Sequence, residues 1–206
     1  MSTPEKREPV NLLLCGVGGQ GILLAADVVA LVGVELGYDV KKSEIHGMAQ
    51  RGGSVTSHVR WAQRVYSPLS PPGEVDYVIA FERLEALRHA ALLRPGGTLL
   101  VNDYRITPGS VTLGQDDYPS AQQEAEIYGE RVHVLYLPAM TLAQQLGQVR
   151  VNNIVMLGAL SAHLATPEET WRRVIANRVP ARFVELNERA FAVGRAHALG
   201  QPARGR

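Results

Sequence analysis

The chain has 206 residues, 46% of them hydrophobic, and a formal net charge of +1. That length suits one domain with a full core, and the apolar share excludes a disordered chain. With no block of like charge, nucleic acid is excluded as an expected partner. The single cysteine, Cys15, rules out internal disulfides. It also rules out an iron–sulfur cluster held by this chain alone, because such clusters usually need four thiolates. Residues 1–9 are polar and lack a signal-peptide core. The longest apolar stretch, residues 22–34, carries Asp27 and is too short to span a bilayer. A cytoplasmic protein without a membrane partner is expected.

Strand and helix signals alternate along the chain. Residues 10–15 read as a buried strand, and residues 19–36 as a helix ended by Gly37. Residues 39–45 are a second strand. Residues 54–61 alternate, with Val55, Val59 and Trp61 on one face and Thr56, His58 and Arg60 on the other. Residues 75–81 form a short apolar strand, followed by a helix over residues 82–93. Pro95-Gly96-Gly97 breaks that helix before a strand at residues 98–102. A small hairpin is expected at residues 110–113. Residues 132–137 are another strand, and Pro138 opens the next helix at its first turn.

From Val151 the character is helical. Residues 152–164 are apolar nearly all round. Thr166 caps the next helix, with Pro167 at its first position. A last helix over residues 182–199 places Phe183, Leu186, Ala190 and Val193 at helical spacing. The fold class is α/β: Rossmann-like, a mostly parallel sheet flanked by helices, with a helical C-terminal part. One domain over residues 10–199 is expected, between a disordered start at residues 1–9 and a mobile tail at residues 200–206. The helices at residues 22–34 and 152–164 have little polar face. They are either centrally buried or packed on another subunit.

Two glycine-rich stretches carry the chemistry. The first is Cys15-Gly16-Val17-Gly18-Gly19-Gln20-Gly21, directly after the first strand. Gly16 permits a tight turn, Gly18 leaves room for a phosphate near the backbone, and Gly21 lets helix and strand pack closely. Gly19 opens the loop further, and Gln20 offers an amide donor. The same glycines would also serve a tight turn with no ligand. The second stretch is Glu44-Ile45-His46-Gly47-Met48-Ala49-Gln50-Arg51-Gly52-Gly53-Ser54. Arg51 presents a planar fork suited to phosphate or carboxylate. Gly52 and Gly53 add backbone amides that can form an anion nest, and Ser54 adds a hydroxyl. Pairing with Glu44 or Glu82 is the structural alternative for Arg51. His46 is a proton carrier or a loop hydrogen-bonding residue, with the second favoured. Cys15 reads as an inert core thiol.

NAD binding does not follow from this loop. A dinucleotide fold wants an acidic residue at the end of the second strand. Here Lys41 and Lys42 precede Glu44, and they suit a phosphate or a solvated strand edge. The chain also has no HExxH, GxSxG, P-loop GK[ST] or paired-cysteine metal motif, and its six histidines show no ligand spacing. A cofactor-shaped loop without catalytic machinery points to a subunit that completes a site housed elsewhere.

The two glycine stretches resemble the gamma-type domain of 2-oxoacid:ferredoxin oxidoreductases. The His-Gly-Met-Ala-Gln-Arg-Gly-Gly form is most similar to the beta subunits of indolepyruvate:ferredoxin oxidoreductases. Softer matches are Ser57-His58-Val59-Arg60, residues 76–82, and Asn153-Ile154-Val155-Met156-Leu157-Gly158; the likeness covers residues 12–199. The resemblance implies that an aryl 2-oxoacid and coenzyme A become acyl-CoA and carbon dioxide, with electrons passing to ferredoxin. It places thiamine diphosphate and the iron–sulfur clusters on a larger alpha subunit, and this chain lacks the thiamine motif GDG…N. It assigns cofactor or phosphate contacts to Gly16, Gly18, Gly19, Gln20, Gly21, Arg51, Gly52, Gly53 and Ser54. It sets His46 and Gln50 toward the reacting centre. Alternatives are a gamma subunit for pyruvate, 2-oxoglutarate or a branched-chain oxoacid, a freestanding NAD-binding dehydrogenase, and a purely structural stabiliser of a large subunit.

Overall fold

The computed structural model describes residues 8–47, 53–130 and 132–200. Residues 1–7 and 201–206, which hold most of the expected disordered start and mobile tail, lie outside the described residues. The strands are β1 (Val10–Val17), β2 (Asp39–His46), β3 (Ser54–Ala62), β4 (Val75–Ala80), β5 (Leu93–Asn102) and β6 (His133–Leu137). The helices are α1 (Ile22–Glu35), α2 (Arg83–His89), α3 (Gly109–Thr112), α4 (Ala121–Tyr128), α5 (Ala139–Gln145), α6 (Asn152–His163), α7 (Glu168–Arg178) and α8 (Val184–Gly200).

The strands form one sheet in the order β2-β3-β1-β4-β5-β6. β1, β4, β5 and β6 pair in parallel, while β3 runs against both β1 and β2. The sheet is therefore mixed and mostly parallel, with helices on both faces. β1 is central because Leu12, Leu13, Leu14 and Cys15 are apolar without alternation and fully buried. β2, with its paired lysines, is the edge, and none of its residues is fully buried. In β3, Val55, Val59 and Trp61 pack with α1 and the C-terminal helices, as the alternation predicts. The opposite face of the sheet buries Leu13, Cys15, Val78 and Val101 against Ala86, Leu87 and Tyr128.

Burial resolves one of the two apolar helices. Every residue of α6 from Asn152 to Ser161 is buried within this chain. It presses on α8 so closely that a Cβ at Gly158 would lie 2.1 Å from the Phe191 carbonyl oxygen, and one at Gly194 1.9 Å from that of Val155. α1 is different, for Leu23, Leu31 and Val34 stay exposed.

Local expectations are corrected in five places. Residues 109–112 make a single helical turn, not part of a hairpin, because Leu113 N–H returns to Gly109 O at 3.0 Å and, among the described residues, no partner strand lies alongside. Pro95-Gly96-Gly97 falls inside β5 as an irregularity against β4, with Gly96 at a φ of 75°. Pro167 is the cap of α7, and Thr166 instead accepts the Trp171 indole N–H at 2.8 Å. The buried stripe of α8 runs through Asn187, Ala190, Phe191, Gly194 and Ala198, leaving Phe183 and Val193 off it. α4 was not expected; its signal was the Ser120-to-Gln123 spacing, which forms a capping box.

Candidate anion-binding site

The first glycine stretch is the turn from β1 into α1. Gly19 and Gly21 have φ values of 101° and 78°, which favour glycine on backbone grounds alone. Gly16 is required by space instead: a Cβ there would stand 2.9 Å from that of Phe81. Gln20 closes the turn from inside. Its Oε1 accepts Val17 N–H at 2.7 Å, and its Nε2 donates to Phe81 O at 2.8 Å. Both ends of the amide are thus committed to the protein backbone. Asn153 of α6 donates to Gly21 O at 3.2 Å and so fastens the loop from behind.

The second glycine stretch joins β2 to β3. Gly47 N–H donates to Ser54 O at 2.8 Å, and Gly18 N–H donates to Gly53 O at 2.9 Å. The second bond brings the two glycine stretches into contact. A cavity of about 740 Å³ opens beside them, lined in part by Gly18, Gly19, Gly21, Leu23, His46 and Gly47. α1 points its N-terminus into this cavity; among the described residues no side chain caps it and its first turn holds no acid. An uncapped helix start beside glycine backbone offers N–H groups and a positive dipole end to an anion.

The remaining candidates fall as follows. The His46 side chain is about half exposed, lines the cavity, and sits 3.7 Å from Glu44. The Ser54 hydroxyl turns to the opposite face of the sheet and donates to Glu85 at 2.5 Å. Gln50, Arg51 and Gly52 lie outside the described residues. Of the carboxylates weighed as pinning partners for Arg51, Glu44 accepts from Lys42 at 2.6 Å. Glu82 caps α2 and accepts Ile106 N–H at 3.1 Å and the Tyr118 hydroxyl at 2.7 Å.

The lysines of β2 are engaged too. Lys42 pairs with Asp27 of α1 as well as with Glu44, and Lys41 pairs with Asp39 at 2.7 Å. Burial pulls Lys42 down, but the two carboxylates outweigh it and hold its pKa above the ordinary lysine value. Cys15 is fully buried, and burial together with Glu85 and Glu82 pushes its thiol well up, so it is inert as a nucleophile. Among the described residues, no group of three or more His, Cys, Asp or Glu could hold a metal ion, and no helix is long and apolar enough to cross a membrane.

Glu85 escaped the sequence reading; its only local signal is the Phe81-Glu82-Arg83-Leu84-Glu85 start of α2, which has the form of an N-cap with an acidic third position. Glu82 enters that reading only as a partner for Arg51 and Asn153 only as part of a softer match, and no local signal gives either its observed role.

This geometry has relatives. The sequence matches the pyruvate ferredoxin/flavodoxin oxidoreductase family over residues 11–197. The chain belongs to that family. It is 37% identical over 188 residues to indolepyruvate oxidoreductase subunit IorB of Thermococcus kodakarensis, covering 89% of this chain and 93% of the relative. It is 38% identical over 188 residues to the same subunit of Pyrococcus horikoshii, with the same coverage. Its fold matches the gamma subunit of a keto/oxoacid ferredoxin oxidoreductase from Geobacter sulfurreducens, with a TM-score of 0.70 and 27% identity over 93% of this chain and 99% of that one. Family membership makes the chain a subunit of an oxidoreductase.

Proposed function

We infer that the chain is the beta subunit of an indolepyruvate:ferredoxin oxidoreductase. The complex converts an aryl 2-oxoacid and coenzyme A to the acyl-CoA and carbon dioxide and passes electrons to ferredoxin. A larger alpha subunit carries thiamine diphosphate and the iron–sulfur clusters. Identity to IorB subunits over nearly the whole chain supports the aryl 2-oxoacid as substrate.

The observation that carries this chain's own role is the contact between the two glycine stretches at the uncapped start of α1, beside a cavity of about 740 Å³. Coenzyme A fits this site by its chemistry: its phosphates suit the α1 N-terminus and the amides of Gly19 and Gly21, while Gly18, whose own N–H is held by Gly53 O, leaves room for them beside the backbone. Arg51, Gly52 and Gly53 add a bidentate cation and further amides. Gln20 and Ser54 act from behind, one holding the first loop and the other the second. His46 and Gln50 face the reacting centre, where thiamine diphosphate supplies the decarboxylating carbanion chemistry when bound on the partner.

The NAD-dependent reading lacks its ribose acid. Glu44 stands at the end of β2, but its carboxylate is held by Lys42. The test is to co-express the chain with a long thiamine- and cluster-bearing subunit and assay coenzyme A-dependent reduction of ferredoxin. Indolepyruvate should support turnover in the complex. Equal or faster turnover with pyruvate, 2-oxoglutarate or a branched-chain oxoacid would reassign the substrate.

A further inference from the structure

Ser54 stands where three parts of the site meet. Its carbonyl accepts Gly47 N–H at 2.8 Å, and the carbonyl of neighbouring Gly53 accepts Gly18 N–H at 2.9 Å. Across the ladder it pairs with Val17, whose own N–H is held by Gln20 at 2.7 Å. Its hydroxyl leaves the cavity side and donates to Glu85 Oε2 at 2.5 Å.

Glu85 is an unusual partner for a half-buried serine at the start of a strand. It is 1% exposed and sits in α2, on the face of the sheet opposite the 740 Å³ cavity. Arg88 takes its other oxygen, and His89 Nε2 lies 3.6 Å from Oε2. Its backbone N–H is accepted by Glu82 at 3.0 Å, which fixes the residue at the start of the helix. A buried carboxylate is costly unless it is paired and hydrogen-bonded. Burial pushes the Glu85 carboxyl up, but His89, Ser54 and Arg88 outweigh it and leave its pKa below the ordinary value. An ionised acceptor grips a hydroxyl more firmly than a neutral one. The result is a rigid post behind β3, tied to the last residue of the second glycine stretch.

We propose that Glu85 is a positioning residue for coenzyme A binding: through the Ser54 hydroxyl it fixes Gly53 against the first glycine stretch. This rests on the reading of the cavity as the coenzyme A site. Glu85 touches no ligand there; it acts only through Ser54 and the Gly53–Gly18 bond.

The experiment uses the assembled complex with Ser54→Ala, Ser54→Thr, Glu85→Ala and the Ser54→Ala/Glu85→Ala double variant. Ser54→Ala and Glu85→Ala should each raise the KM for coenzyme A about tenfold, with kcat and the 2-oxoacid KM within about twofold. Ser54→Thr, which keeps the hydroxyl, should restore the wild-type KM. The double variant should match the singles, because both remove one contact. Hydrogen exchange over residues 16–21 should quicken in Ser54→Ala. Should Glu85→Ala fail to assemble, Ser54→Ala and Ser54→Thr still decide the matter, since both keep the Arg88 partner of Glu85. A raised KM in Ser54→Ala but not in Glu85→Ala would overturn the proposal, because Ser54 would then touch the ligand itself. Additive effects, or unchanged exchange over residues 16–21, would also overturn it. Faster exchange with an unchanged coenzyme A KM would leave the clamp standing and overturn instead the assignment of the glycine loops to coenzyme A.

Discussion

Gly19 and Gly21 look equivalent in the sequence and differ in what surrounds them. Both have positive φ, but a Cβ at Gly19 would meet open space, whereas one at Gly21 would stand 2.5 Å from the Asn153 amide. Gly19→Ala should therefore cost only the backbone strain, about 1 kcal/mol. Gly21→Ala should cost roughly 2–4 kcal/mol, because it adds a clash and breaks the Asn153 bond to Gly21 O. Urea denaturation of the three proteins measures the difference directly. Arg51 makes the second residue-scale prediction. If it grips a phosphate with both arms of its guanidinium, Arg51→Ala should weaken coenzyme A binding about ten- to a hundredfold. Arg51→Lys should recover little of that loss. Steady-state kinetics against both substrates would reveal the affected one, and unaltered kinetics in both folded variants would leave Arg51 a loop-pinning role.

At the scale of elements, the α6–α8 crossing and the β2 edge respond to different conditions. Gly194→Ala places a methyl 1.9 Å from the Val155 carbonyl oxygen, and a backbone atom cannot rotate away. The helices must move apart, so a loss of about 3 kcal/mol or more is expected, read from the urea midpoint. The β2 edge is instead held by charge. Asp27 of α1 binds Lys42 of β2 and Arg178 of α7, one carboxylate tying three elements together. Burial pushes Asp27 up, but Lys42 and Arg178 pull it further down, so its folded pKa lies below its unfolded one. The stability it contributes is present above the ordinary aspartate value of about 3.9 and is lost as pH falls through the lower folded value. The gap in urea midpoint between wild type and Asp27→Asn should thus be constant near neutral pH and close as pH falls below the ordinary aspartate value and through the lower folded one. A gap that persists in acid would mean that the pairs with Lys42 and Arg178 contribute nothing.

For the molecule as a whole, the exposed apolar stripe of α1 at Leu23, Leu31 and Val34 matches what a subunit needs from its partner. α6 is not such a face, since this chain buries it from Asn152 to Ser161. The isolated chain should give no 2-oxoacid-dependent dye reduction, and turnover without a partner would refute its role as a subunit. Calorimetric titration of the complex with NAD, NADP and coenzyme A should give heat with coenzyme A alone. A glycine turn at a helix start does not by itself choose among phosphates, and the acid that would select a nicotinamide ribose is already bound to Lys42. Micromolar NAD binding that Gly18→Val abolishes would revive the dehydrogenase reading.

The sequence alone determined the order of the six strands along the chain, the glycine turn after β1 and the family, because these rest on local signals. Apolar runs mark buried strands, glycine marks turns, and two short motifs lie close together in the chain. Periodicity placed Val55, Val59 and Trp61 on the core face of β3 without any structure. Only the tertiary structure decided what depends on distant contacts. The Gly18–Gly53 bond, the Asn153 fastening of Gly21 and the reach of Ser54 to Glu85 join residues separated by 31 to 132 positions or by an intervening strand. No local pattern encodes which acceptor a serine or a lysine will find. Ser54 and Lys42 both read as phosphate donors in the sequence, and both meet a carboxylate first, because folding brings Glu85 and Asp27 to the sheet where the pairs form.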